Sequence, residues 1–170
     1  MCSSDLHGLA RGLGDRLGAT FVVSQPEAWA IVESRFGTAP RALLMTSGLD
    51  QATLDAQARS APEGVTVVGV GGGTAMDVAK WISWRRDLPL VQLPTLASVD
   101  ACFTRMSALR DGERVRYDGD AVPDEVLVDY EILAAAPPAL LSAGIGDVLS
   151  CLTALDRKST RLNSSHLVIS

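Results

Sequence analysis

The sequence predicts an α/β fold, a Rossmann-like parallel sheet domain with crossover helices, followed by the first helix of an all-α domain. Three observations predict it. Short apolar, β-branched runs alternate with stretches of helical spacing from residue 19 to residue 93, the order that builds parallel sheets. The run Val65-Thr66-Val67-Val68 leads through Gly69-Val70-Gly71-Gly72-Gly73-Thr74 into a helical segment. Such a turn brings backbone N–H groups and a helix N-terminus to an anion. After Pro137-Pro138 the chain turns helical, from Ala139 to Leu155.

The elements are justified in order along the chain. Ala19-Thr20-Phe21-Val22-Val23-Ser24 is a short buried strand, and Pro26 marks the start of the next element. Glu27 to Phe36 places Trp29, Val32 and Phe36 on one side of a helix that ends near Gly37. Arg41 to Met45 is the second strand. Asp50 to Ser60 is a helix closed by the Pro62-Glu63-Gly64 turn. Val65 to Val70 is the third strand, with a helix from Thr74 to Arg86 behind the glycines. Leu88 to Leu93 is the fourth strand, Pro89 being tolerable near its start. Ser107 to Tyr117 alternates around Asp111-Gly112, a favourable hairpin turn. Glu125-Val126-Leu127-Val128-Asp129 returns to an apolar strand.

Composition narrows the function classes. A formal net charge of −5 leaves no basic stripe for nucleic acid. No apolar run reaches the roughly 18 residues a membrane span requires, and no basic-then-apolar leader precedes the first strand. Cys2, Cys102 and Cys151 have no paired spacing, which fits thiols in a reducing, cytoplasmic setting.

The two ends differ from the middle. Asp156 to His166 is abruptly polar and holds the only Asn of the chain. It resembles the translation of a short-read sequencing adapter. Cys2-Ser3-Ser4-Asp5-Leu6 can be encoded by TGC-TCT-TCC-GAT-CT, whose opposite strand reads Asp-Arg-Lys-Ser, the residues at Asp156 to Ser159. Residues 1–6 and 156–170 are therefore set apart from the fold as adapter-like and not native. The expected domains are an α/β dinucleotide-binding unit over 7–136 and the start of a truncated helical, metal-binding domain over 137–155.

Three segments carry candidate chemistry. In G-x-G-x-x-G register Gly69 and Gly71 fit, but Thr74 takes the third position. Within this run Asp77 could bond the helix's own first amides, and Lys80 is expected to be a solvated helix lysine. Pro94-Thr95-Leu96-Ala97-Ser98-Val99-Asp100 follows the fourth strand, where loops of an open parallel sheet line the ligand crevice. Its hydroxyls and carboxylate suit a ribose or polyol, or simple turn chemistry. Gly144-Ile145-Gly146-Asp147 places a carboxylate in apolar surroundings, where a metal ion, an Arg or a helix cap would satisfy it.

The glycine run, the Pro94–Asp100 loop, the Val126-Leu127-Val128-Asp129 strand and the Ala143–Asp147 turn resemble, in order and approximate spacing, the iron-containing alcohol dehydrogenase superfamily. The likeness is greatest to its sn-glycerol-1-phosphate dehydrogenase-like branch. The resemblance implies NAD or NADP as cofactor and zinc or iron as metal. It implies that Gly71, Gly72, Gly73, Thr74, Ala75, Met76 and Asp77 hold the pyrophosphate. Thr95, Leu96, Ala97 and Ser98 would lie near the nicotinamide half, with Thr104 as another cofactor contact. Asp100 would bind substrate, and Asp147 would be both a substrate contact and the catalytic carboxylate ligand of the metal. The metal would act as a Lewis acid on the substrate hydroxyl while hydride passes to the nicotinamide. A polyol or polyol-phosphate substrate and a homo-oligomeric parent complete the expectation.

The sequence departs from the family at several points. Leu96 stands where Thr is common, and Gln25 stands where an Asp for the adenine ribose is frequent. The family completes its metal site with histidines from the helical domain. Here the two histidines are His7, at the other end, and His166, in the adapter-like tail. One carboxylate is not a metal site, so the chain itself is expected to be inactive. A dehydroquinate synthase-like NAD-dependent lyase is the alternative within the same scaffold. Asp147 in place of Glu, and no glycine-lysine motif after Asp100, oppose it. A non-catalytic nucleotide-binding module is the remaining alternative.

Overall fold

In the computed structural model, which describes residues 7–140, 142–146 and 149, each apolar run between residues 20 and 94 becomes a strand of one parallel sheet. The element order is α1 (Leu13–Leu17), β1 (Thr20–Ser24), α2 (Pro26–Phe36), β2 (Ala42–Met45), α3 (Gln51–Ser60), β3 (Thr66–Gly71), α4 (Gly73–Arg86) and β4 (Leu90–Pro94). A separate antiparallel hairpin, β5 (Ser107–Asp111) and β6 (Arg114–Asp118), comes next. Then come β7 (Glu125–Val126) and α5 (Tyr130–Leu133). Residues 138–140, 142–146 and 149 are helical. The remainder of the helix expected to reach Leu155 lies outside the described residues.

The sheet runs in the order β2-β1-β3-β4-β7, with every neighbouring pair parallel. Side-chain alternation divides its strands between two cores. Phe21, Val23, Val67 and Leu90 face Leu54 and Ala58 of α3 and Val78, Trp81 and Ile82 of α4. Val22, Val68, Val70, Val91 and Leu93 face Leu13 of α1, Trp29, Val32 and Phe36 of α2, and Ile132 of α5. Trp29 and Phe36 meet edge to face with ring centroids 5.3 Å apart, the favoured aromatic geometry. Burial on both faces is why these strands read as continuous apolar runs instead of alternating ones.

Three sequence expectations change. The hairpin turn is Gly112-Glu113, one residue later than expected, because Asp111 still pairs with Arg114. Gly112 has φ +58° and Glu113 does not share a positive φ, the pattern of a type II′ turn with glycine first. The strand expected over Glu125 to Asp129 pairs only at Glu125 and Val126, with Leu127 N–H adding a bond to the Gln92 carbonyl. Asp129 leaves the sheet and caps α5 through the Glu131 N–H at 3.0 Å. Finally, α1 and α5 have no counterpart in the sequence expectation. At 5 and 4 residues they are too short for helical periodicity to show, and tertiary contacts hold them.

Asp129 does more than cap. Its fully buried carboxylate also accepts from the Gly8 N–H at 3.2 Å and the Ala10 N–H at 3.1 Å, fastening the first described residues to α5. Asp129→Ala is therefore expected to lower unfolding free energy by about 1–3 kcal/mol, since it strands buried amide donors and removes a cap. Urea unfolding checks it; an unchanged midpoint would show those amides satisfied elsewhere.

Candidate functional site

The parallel sheet changes winding direction between β1 and β3. From β1 the chain moves outward to β2, and from β3 it moves the other way to β4. At such a switch point the carboxyl ends of two adjacent strands diverge, and their loops open a crevice. The glycine turn sits there. β3 ends at Gly71, Gly72 is the residue before α4, and the helix begins at Gly73 with no side chain capping its first amides. Gly71 has φ +145°, a backbone conformation glycine adopts freely and L side chains rarely do. A β-carbon on it would stand 3.0 Å from the Ala75 methyl and 3.8 Å from the Gln25 amide oxygen. Gln25, just past β1, thus lies beside the turn.

The loop after β4 forms the opposite wall. Thr95 is buried, and its N–H donates to the Gly71 carbonyl at 2.9 Å, which knits this loop to the glycine turn. A β-carbon on Gly72 would be 3.3 Å from the Leu96 side chain, and one on Gly73 would be 2.9 Å from Val99. The bare backbone of Gly71–Gly73 is therefore a cradle that any side chain would fill. Ala97 is exposed and Ser98 half-buried. Gly144, distant in sequence, is packed against the Ala97 carbonyl so closely that a β-carbon would collide with it. This contact brings the Gly144-Ile145-Gly146 motif to the Pro94–Asp100 loop. Asp147 lies outside the described residues.

The expected pyrophosphate residues divide in two. Gly71, Gly72, Gly73 and Thr74 form the turn itself. Ala75 and Met76 are buried against Ala101 and Cys102, so they present backbone and not side chain. Asp77 points inward. Its carboxylate lies 2.9 Å from the Lys80 ammonium and not on the first amides of α4. Burial pushes the Asp77 carboxyl up from its ordinary value, against the lowering influence of Lys80. Burial likewise pushes the Cys102 thiol up.

Lys80 is the clearest correction to the sequence expectation. It is not solvated: its side chain is fully buried, donating also to Thr104 Oγ1 at 3.0 Å and to the Met106 carbonyl at 2.5 Å. A signal existed. Ala75, Met76, Val78, Ala79, Trp81 and Ile82 surround the helix on every side, so α4 has no solvated face over that span. An Asp three residues before the Lys is the spacing that lets both share one face. Gln92, also absent from the sequence expectation, is fully buried beneath α4 and donates to the Met76 carbonyl at 3.2 Å.

Beside this pair opens a cleft of about 410 Å³, lined among others by Asp77, Asp100, Thr104, Arg105 and Tyr117. The structure thus brings Asp100 and Thr104 to one cavity, whose lining residues Val99 and Ala101 also stand against Gly73 of the glycine turn. Among the described residues no three His, Cys, Asp or Glu side chains gather closely enough to hold a metal ion.

A doubly wound parallel sheet with an uncapped glycine turn at its switch point defines an α/β protein of the nucleotide-binding type. The match is more specific than that. Residues 31–137 match the family described as iron-containing alcohol dehydrogenase, and the chain belongs to that family. It is 45% identical over 87 residues to the glycerol dehydrogenase of Thermotoga maritima, covering 49% of this chain and 24% of that protein. It is 33% identical over 149 residues to a glycerol-1-phosphate dehydrogenase of Thermofilum pendens whose name specifies NAD(P)+, covering 80% of this chain and 41% of the relative. The crystal structure of glycerol dehydrogenase from Schizosaccharomyces pombe superposes with a TM-score of 0.72 at 25% identity, over 84% of this chain and 40% of that one. The chain thus spans between about a quarter and two-fifths of these relatives. No described helix is long and apolar enough to cross a membrane.

Proposed function

We propose that this chain is the cofactor-binding half of an NAD(P)-dependent polyol or polyol-phosphate dehydrogenase, with 7–136 as the dinucleotide unit and 137–155 opening the metal-binding domain. The observation that carries the reading is the side-chain-free cradle of Gly71, Gly72 and Gly73 at the β1/β3 switch point. In this reading the uncapped amides of α4 receive the pyrophosphate, with the positive end of the helix dipole behind them. Thr95 to Ser98 wall the nicotinamide side, and Thr104 adds a hydroxyl. Asp100, exposed at the mouth of the cleft, accepts hydrogen bonds from substrate hydroxyls. The cofactor supplies hydride transfer when bound; the chain binds it, orients it and screens one of its faces from water.

The cradle fits a dinucleotide. The described residues do not by themselves fit a metal, and Asp147 as metal ligand rests on the family resemblance. The names of the relatives favour glycerol or glycerol 1-phosphate as the model substrates.

Fluorescence titration with NADH and NADPH tests the reading directly. The full chain is expected to bind at least one of them, and Gly73→Val is expected to weaken binding more than tenfold by driving a side chain into Val99. A chain that stays folded and binds neither dinucleotide would overturn the cofactor reading.

A further inference from the structure

We propose that Lys80 is a positioning residue for the cofactor, acting through Thr104: its buried ammonium fastens the 101–106 segment to α4 and fixes which way the Thr104 hydroxyl faces. The inference rests on the reading above that the crevice takes a nicotinamide dinucleotide. An ammonium has three donors and no acceptor, and all three are used here. One goes to Asp77 on its own helix. The other two go to Thr104 Oγ1 and the Met106 carbonyl, both on the segment that forms the cleft wall.

Burying a lysine is costly unless its charge is paired and its donors are satisfied. Asp77 alone would leave two of the buried donors unmet, and both are met by the loop and not by α4. The lysine's reach across to the loop is what the geometry adds. The other side-chain ties on this segment are weaker or lie farther along, and its backbone bond from the Ala121 N–H to the Arg105 carbonyl at 3.0 Å joins it to the chain after the hairpin and not to α4. Arg105 and Asp120 pair at 2.6 Å but are more than half exposed, where an ion pair contributes little. Ser107 donates to the Asp77 carbonyl at the start of β5.

Lys80 also decides what Thr104 offers. Because the ammonium can only donate, the Thr104 oxygen accepts from it, and the hydroxyl hydrogen goes to the Ala101 carbonyl at 3.2 Å. What Thr104 presents to the cleft is its remaining lone pair. A lone pair recognises an N–H donor, such as a carboxamide, and rejects a phosphate oxygen. The residue therefore suits the amide end of a nicotinamide ring.

The test uses the full chain with hydrogen exchange and dinucleotide titration. Lys80→Met strands the Asp77 carboxylate, so the double variant Asp77→Asn/Lys80→Met accompanies it, and Thr104→Val, which removes no charge, gives a further route should both fail to fold. Expected is at least tenfold faster amide exchange in 100–106, with 66–71 and 90–94 unchanged. Also expected is loss of most of a fivefold to tenfold preference for NADH over its reduced 3-acetylpyridine analogue, the ratio one hydrogen bond supplies. A purely structural role would weaken both dinucleotides equally. Unchanged exchange in 100–106, acceleration shared by the whole sheet, or an intact preference would each overturn the proposal. If the folded wild-type chain binds no dinucleotide, the cofactor reading fails, while the exchange data still decide whether Lys80 anchors the segment.

Discussion

Replacing Asp77 by alanine is expected to destabilise the chain by about 3–5 kcal/mol, the range measured when one partner of a buried ion pair is removed. The magnitude reflects the group left behind. The Lys80 side chain is fully buried, and without Asp77 its ammonium keeps two neutral acceptors but no counter-charge. Removing both charges together should cost much less, because no unpaired ion is left behind. A double-mutant cycle by urea unfolding separates the two cases; a single variant near wild-type stability would mean that water reaches Lys80. The pH dependence has a definite sign. The Asp77 carboxyl is raised above its ordinary 3.8, so the folded chain holds that proton more tightly than the unfolded chain. Its contribution is most favourable below 3.8 and declines as pH climbs to the raised value. A protonated Asp77 still accepts from the Lys80 ammonium and fills its site, whereas alanine does neither, so Asp77→Ala destabilises on both sides of that titration and lacks its slope.

Gly71→Val is expected to abolish detectable NADH binding and to lower stability by about 1–3 kcal/mol, the usual cost of forcing an L side chain into a strained backbone conformation. Gly71 sits at φ +145°, and its β-carbon would press on Ala75 at 3.0 Å. Gly72→Ala is the informative contrast. Gly72 has φ −98°, which any residue adopts, and its β-carbon would meet the flexible end of Leu96 at 3.3 Å. That variant should stay near wild-type stability and lose affinity only modestly. Denaturation curves and NADH titrations on the pair distinguish backbone strain from simple filling of the crevice. Equal effects at both positions would argue that φ at Gly71 is not what matters.

Much of the site is legible in the sequence because its signals are local. A glycine run between a β-branched strand and a helical segment announces a close backbone approach, whatever surrounds it. The three central strands, β1, β3 and β4, are legible for a related reason. A strand buried on both faces must be apolar throughout, and Phe21-Val22-Val23 and Val67-Val68 are. The errors fall where the neighbours decide. Lys80 looks solvated in any reading that assumes a polar residue marks an exposed face. α4 has no exposed face between Ala75 and Ser83, because α3 packs on one side and the β5–β6 hairpin on another. Asp129 looks like the end of a strand because the run before it is apolar. Pairing instead stops after Val126, and the Asp129 carboxylate takes amide donors from Gly8 and Ala10, some 120 residues earlier.

The sequence by itself determined the α/β class, the parallel sheet, the glycine cradle and the family resemblance, since each rests on residue type and short-range spacing. Tertiary structure decided the rest. It set the strand order that makes a switch point, the packing of Gly144 on the Ala97 carbonyl, the cleft joining Asp100 to Thr104, and the burial of the Asp77–Lys80 pair. The division has one physical cause. Backbone preference and hydrophobic periodicity act over a few residues, whereas the charge state and hydrogen-bond partners of a side chain depend on which distant segments exclude water from it.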